Sequence, residues 1–203
     1  MTCLRFFSYL FLALLLASCS TAPPSSTSSD NIEIPDIDED GIRSEEEALI
    51  FSLLQQANSS ASPESEYFAL EAARIYNGMG QERRAYELLT TLNTRQLDLD
   101  LAAEILLLRA QFLVNNERFS EALNVLNIDR FDALPQLSIV SQKQLRMLRA
   151  QSYEAGLEFG LSLKERILVD PLLNAAEKDL NHEQIWQNLL ALPVEDLRPL
   201  AAA

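Results

Sequence analysis

An all-α solenoid of antiparallel helix pairs, carried behind a secretory signal and a disordered spacer, is the architecture this sequence predicts. Three observations lead there. From Ser44 onward the composition is Ala, Leu, Glu, Gln and Arg with little glycine and no long β-branched run, which is the vocabulary of helices. Within that stretch a pattern of small and large residues recurs at an offset of 37. Ahead of it, the chain opens on a basic start and a short apolar run, then turns to Ser, Thr, Pro and carboxylates. No β-sheet is expected. The boundaries that follow are residues 1–18 for the signal, 19–43 for the spacer and 44–203 for the helical domain.

The apolar run, Phe6 to Ala17, is twelve residues long. As a helix it would extend only ~18 Å, against a hydrocarbon core of ~30 Å, too short for a stable span. It ends in Leu16-Ala17-Ser18-Cys19, which resembles the lipobox of bacterial lipoproteins. The resemblance implies cleavage between Ser18 and Cys19, a diacylglyceryl group on the Cys19 thiol and acylation of the new amine. Cys3 leaves with the signal, so no free thiol remains for disulfides, metal or nucleophilic catalysis. Ser20 stands where an aspartate would signal retention in the inner membrane, which implies outer-membrane sorting on the periplasmic side. Three acyl chains exceed the two signals that stable anchoring needs.

The spacer has almost nothing to bury. Ser20 to Asp30 is mostly Ser, Thr and Pro, and Asp30 to Glu47 holds nine carboxylates and one arginine. Such a tract cannot offset its ordering entropy and is expected to be disordered. Ser20 to Arg43 would average ~27 Å end to end as a coil and reach ~80 Å stretched. The Asp36, Asp38, Asp40, Gly41 cluster lacks the rest of a calcium-loop pattern and is discounted. The formal charge of −14 becomes −15 without Arg5, with 15 basic against 30 acidic residues. So acidic a chain excludes nucleic acid as a main partner.

About 160 residues remain for one helical domain with a continuous core. Helices are expected near 44–58, 63–78, 81–92, 98–115, 118–127, 138–155, 158–169, 171–179 and 181–191. Ser44 with Glu47 fits a capping box, Ser62 followed by Pro63 fits a cap and first helical residue, and Gly78 and Gly80 break the chain between helices. The repeat reads Ala73-x-x-Tyr76, Ala85, Leu89 and again Ala110-x-x-Leu113, Ala122, Leu126, each with a polar turn in the middle. A degenerate third copy begins at Ala150-x-x-Tyr153 and puts Ser162 at the small position. This resembles the tetratricopeptide pattern, in which small residues let paired helices approach closely.

The third copy runs on from Leu163-Lys164-Glu165-Arg166 through Asp170-Pro171-Leu172-Leu173 to Asn181-His182-Glu183-Gln184-Ile185-Trp186-Gln187-Asn188-Leu189-Leu190. A helix ending in Pro-Leu-Leu, a short acidic connection and an Ile-Trp-x-x-Leu helix resemble the N-terminal domain of the LpoA family, outer-membrane lipoproteins that activate a class A penicillin-binding protein. The lipobox, the helix pairs and Arg149-Ala150-Gln151 occur in the same order there. The resemblance implies a periplasmic scaffold, anchored to the membrane by lipid, that regulates peptidoglycan synthesis by contact with that synthase. Family members continue into a larger periplasmic-binding-protein-like α/β domain, whereas this sequence ends at Leu200-Ala201-Ala202-Ala203. It is read as either a fragment or a shortened relative that keeps the tether and scaffold.

Catalysis finds little to build on, and neither an enzyme nor a cofactor is expected. His182 is the sole histidine, read as partly exposed at a helix start, and Trp186 stands where a zinc-peptidase motif would need its second histidine. No Gly-x-Gly-x-x-Gly or Gly-Lys-Ser string offers a phosphate cradle. Glu64-Ser65 near Tyr67 and Phe68 resembles the Glu-Ser of lytic transglycosylases but has no lysozyme-like domain after it. Trp186, Tyr76, Phe112 and Tyr153 are assigned to packing. The alternatives to the LpoA-type reading are another helical-repeat lipoprotein, a cell-wall hydrolase adaptor or an outer-membrane assembly component similar to BamD, and least of all a cell-wall lyase.

Overall fold

The computed structural model describes residues 32, 44–127, 131, 135–195 and 197. Among them are eight α-helices and no strand: α1 (Glu45–Ser59), α2 (Glu64–Gly78), α3 (Glu82–Thr91), α4 (Leu99–Asn115), α5 (Phe119–Leu126), α6 (Ile139–Ala155), α7 (Phe159–Val169) and α8 (Ala175–Ala191). Successive helices pack on one another, and α4 also meets α6, so the pairs α2/α3, α4/α5 and α6/α7 stack in order.

Local chemistry sets the helix starts. At α1 the Ser44 Oγ accepts from the Glu47 amide at 3.2 Å while the Ser44 amide donates to Glu47 Oε2 at 3.1 Å, the expected capping box. Asp98 caps α4 through the Leu101 amide at 2.9 Å, and Ser138 caps α6 through the Ser141 amide at 3.1 Å. Two expectations are corrected here. Pro63 sits just before α2 rather than at its first position, and Ser62 makes no cap. The helices expected at 171–179 and 181–191 are one. Asp170–Leu172 forms a 3₁₀ turn, then Asn174 and Glu177 close a second capping box and α8 runs unbroken to Ala191. The supposed acidic connection, Glu177-Lys178-Asp179, is helical, with Glu177 serving the cap.

The repeat is a packing device. Ala73, Ala110 and Ala150, with their partners Ala85, Ala122 and Ser162, are all buried where the paired helices cross. Each pair is joined by the same turn. The amides of Gln81, Arg118 and Glu158 each donate to the carbonyls of Tyr76, Leu113 and Tyr153 at 2.8 Å, closing the end of the first helix. That closure needs one left-handed residue. It is Gly80 (φ +73°) in the first turn, but Glu117 (φ 57°) and Leu157 (φ 61°) in the others.

Two apolar clusters form the core. One joins α1, α2, α3 and the start of α4; the other joins α4, α5 and α6 around Leu107, Leu113, Leu126, Phe131 and Leu145. Helix α4 lies between neighbours and is apolar over most of its circumference, as a central helix must be.

Candidate interaction surface

Arginines tie one repeat to the next. Arg109 on α4 donates its guanidinium to the Leu89 and Leu92 carbonyls at the end of α3, the latter at 2.9 Å. Arg149 on α6 does the same to the Leu126 carbonyl at the end of α5, at 2.6 Å. Leu89 and Leu126 are equivalent repeat positions, and each arginine stands just before a repeat alanine. A helix C-terminus leaves carbonyls unpaired and carries partial negative charge, so a cation there serves both needs. Burial lowers the Arg109 pKa from its ordinary value, the cost of placing a cation in this seam. The sequence named Arg149 only within the family resemblance and Arg109 not at all, and gave neither this role; the Arg-Ala pairs Arg109-Ala110 and Arg149-Ala150 were the available signal.

Beyond α6 the interior becomes polar. The Arg166 guanidinium, almost fully buried, donates to Glu154 Oε2 at 2.8 Å. Glu154 Oε1 also accepts from Ser162 Oγ and Asn188 Nδ2, both at 2.8 Å. Asn181 Nδ2 donates to the Arg166 carbonyl at 3.0 Å and to Asp170 Oδ1 at 3.3 Å. Beside this lies Glu165, held by Arg146 at 2.8 Å and Arg149 at 3.7 Å. Burial pushes the Glu154 carboxyl up, but the hydrogen bonds from Arg166, Asn188 and Ser162 together outweigh it and hold it below the usual range. Every member of the network has a partner, which is the condition for keeping such groups inside.

Above this network, α6 and α8 face each other across an open cleft of about 360 Å³. Met147, Leu173 and Leu180 supply its apolar lining, Gln151 and Gln184 its amides, and Lys143 is paired with Glu177 at 2.8 Å. That lysine, with the Asn174 amide, holds Glu177 below the ordinary carboxylate range. The cleft is thus close to neutral on a strongly acidic chain, and its amides and apolar side chains are of the kind that read a partner's main chain and apolar side chains.

The residues singled out from sequence are dispersed. Ser18 and Cys19, and the Asp36, Asp38, Asp40 and Gly41 cluster, lie outside the described residues. His182 is not at a helix start but well inside α8, exposed, with Nε2 at 2.8 Å from Asp170 Oδ1. Ser65 donates to the Ala57 carbonyl at 2.8 Å, a structural contact between α1 and α2. Tyr76 is buried, Phe112 stacks on Tyr86 at 4.3 Å between centroids, and Tyr153 accepts from Asn127 at 3.2 Å. Trp186 departs from its expected place in the core: it is 62% exposed, with Leu190 at 69% one turn on. Positions 181 and 188 of α8 turn inward instead, and they are asparagines. Among the described residues no group of His, Cys, Asp or Glu could hold a metal ion, and no helix is long and apolar enough to cross a membrane.

Fold and surface together define a helical-repeat protein with an open, nearly neutral cleft between α6 and α8. The chain belongs to the LppC lipoprotein family, whose sequence profile matches residues 44–203. It is similar to the penicillin-binding protein activator LpoA of Pantoea ananatis, 28% identical over 197 residues, covering 97% of this chain and 27% of that protein. The protein of the same name from Vibrio cholerae serotype O1 is 29% identical over 185 residues, covering 91% and 28%. The chain therefore spans little more than a quarter of the length of these relatives. Among solved structures it is similar to the amino-terminal domain of E. coli LpoA, with a TM-score of 0.50 and 26% identity over 72% of this chain and 63% of that one. What the relatives' names assign to them is activation of another protein.

Proposed function

We propose that this chain is an LpoA-type scaffold, held on the periplasmic side of the outer membrane by lipid on Cys19, that regulates peptidoglycan synthesis by contact with a class A penicillin-binding protein. The observation that carries this reading is family membership across the whole helical domain, joined to relatives named as penicillin-binding protein activators. The Leu-Ala-Ser-Cys sequence ending at Cys19 supports the anchor. The chain itself performs no chemistry. Its role is positional, with the stacked pairs presenting the neutral α6/α8 cleft to a partner.

Fractionation and co-purification of the wild type beside Cys19→Ala test this. The wild type is expected in the outer-membrane fraction with a class A penicillin-binding protein attached, and the variant unlipidated and soluble. A variant that stays with outer membrane after a salt wash overturns the anchor. Recovery of a cell-wall hydrolase in place of the synthase overturns the assigned partner and leaves the adaptor alternative.

A further inference from the structure

Ile32 lies in the acidic stretch assigned to the spacer, yet it is buried, only 9% exposed, in the same apolar cluster as Ile50 and Leu54 of α1. Its backbone is paired on both sides by one side chain: the Ile32 amide donates to Asn58 Oδ1 at 3.1 Å, and Asn58 Nδ2 donates to the Ile32 carbonyl at 3.0 Å. This two-point contact is how a side-chain amide reads an extended main chain, since it offers one acceptor and one donor to a residue's one donor and one acceptor. Asn58 itself stands exposed near the end of α1, so no demand of the helix interior explains the residue.

We infer that Asn58 and the neighbouring apolar surface of α1 form a docking site for the chain's own leader, with Ile32 as its plug, and that this clasp fixes where the tether leaves the helical domain. The occupant is a segment of this chain, because the contact is present within it. The consequence for reach rests on the proposed lipid at Cys19. A coil from Cys19 to Ile32 averages ~20 Å, whereas one running on to Arg43 averages ~27 Å, and the fully stretched limits are ~45 and ~80 Å. The clasp therefore nearly halves the greatest distance the domain can stand from its anchor.

The test is amide exchange on the unacylated chain from Cys19 onward, with a spin label on Cys19, its sole thiol. The Ile32 amide is expected to exchange at least ~10-fold more slowly than the Ser28 and Ser29 amides. Asn58→Ala should abolish that protection while leaving the amides of α2 to α8 and the melting temperature unchanged. Ile32→Asp should act likewise by removing the plug. Broadening from the label should centre on amides around Asn58 in the wild type and move toward the Ser44 end of α1 in both variants. Exchange of Ile32 at the free-peptide rate in the wild type, or protection that survives Asn58→Ala, overturns the clasp. Because no lipid is present, this result is independent of the anchor; a clasp that holds while Cys19→Ala still fractionates with membrane rejects the anchor alone.

Discussion

The two ends of this helical array are built on the same turn and the same crossing but filled with opposite chemistry. Between α1 and α4 the interior is Ala, Leu and Ile, with Ala69, Leu70, Ala72 and Ala73 wholly buried on one helix. Between α6 and α8 the corresponding space holds Ser152, Ser162, Glu165, Arg166, Asn181 and Asn188 beside the apolar Leu163 and Val169. An apolar interior tolerates small shifts, because burial is rewarded by area and not by direction. A polar one is stable only in the register that satisfies every donor and acceptor, so the last pair is directional. It also leaves the apolar residues of α8 outside: with Asn181 and Asn188 turned inward, Trp186 and Leu190 face solvent.

The sharpest way to break the comparison is Arg166→Ala. It leaves Glu154 partly buried without its main partner and should cost ~3–5 kcal/mol, measured by denaturant unfolding. Acid should weaken the same region. The folded pKa of Glu154 lies below its unfolded value, so its contribution is present above the ordinary carboxylate range and lost as pH falls through the lowered folded value. Hydrogen exchange should then show α6 to α8 opening at a pH where α1 to α4 stay closed. A variant that melts like wild type would mean the network is stabilising nothing.

A smaller effect tests the apolar side. Ala122→Leu forces extra methylenes into the α4/α5 crossing and should cost ~1–3 kcal/mol, read as a lower unfolding midpoint, with no acid sensitivity of its own. No change in midpoint would remove the close crossing from the account. The smallest effect concerns the shared turn. Leu157 holds a left-handed backbone while 74% exposed, so Leu157→Gly should stabilise by up to ~1 kcal/mol, and Gly80→Ala at the equivalent place should lose about as much. Opposite signs at the two turns, by thermal melting, are the expected outcome; equal signs would show that the turns are not equivalent.

Much of this was legible in the residues alone. The capping box at Ser44, the helix pairs and the buried small residues at 73, 85, 110, 122, 150 and 162 all follow from local pattern, because caps act over three residues and close crossings demand small side chains. The Asn174-x-x-Glu177 box was an equally local signal, for one helix from Ala175 in place of the two expected at 171–179 and 181–191. The seam arginines Arg109 and Arg149 were harder to see, since the carbonyls they serve lie 17 to 23 residues earlier in the chain.

Composition, periodicity and short motifs thus determined that the chain is helical, how many pairs repeat, and which small residues sit at the crossings, for these depend on neighbours a few positions apart. Tertiary structure alone decided which face of α8 is inside, that Glu154 meets Arg166 and Asn188, and that Ile32 is held by Asn58. Each of those pairs groups far apart in the chain, and a polar side chain carries no mark of whether it will find a partner or water. Apolar periodicity predicts burial on a helix only when the neighbouring surface is apolar too. Against α7 it is not, and so the tryptophan lies outside and the asparagines within.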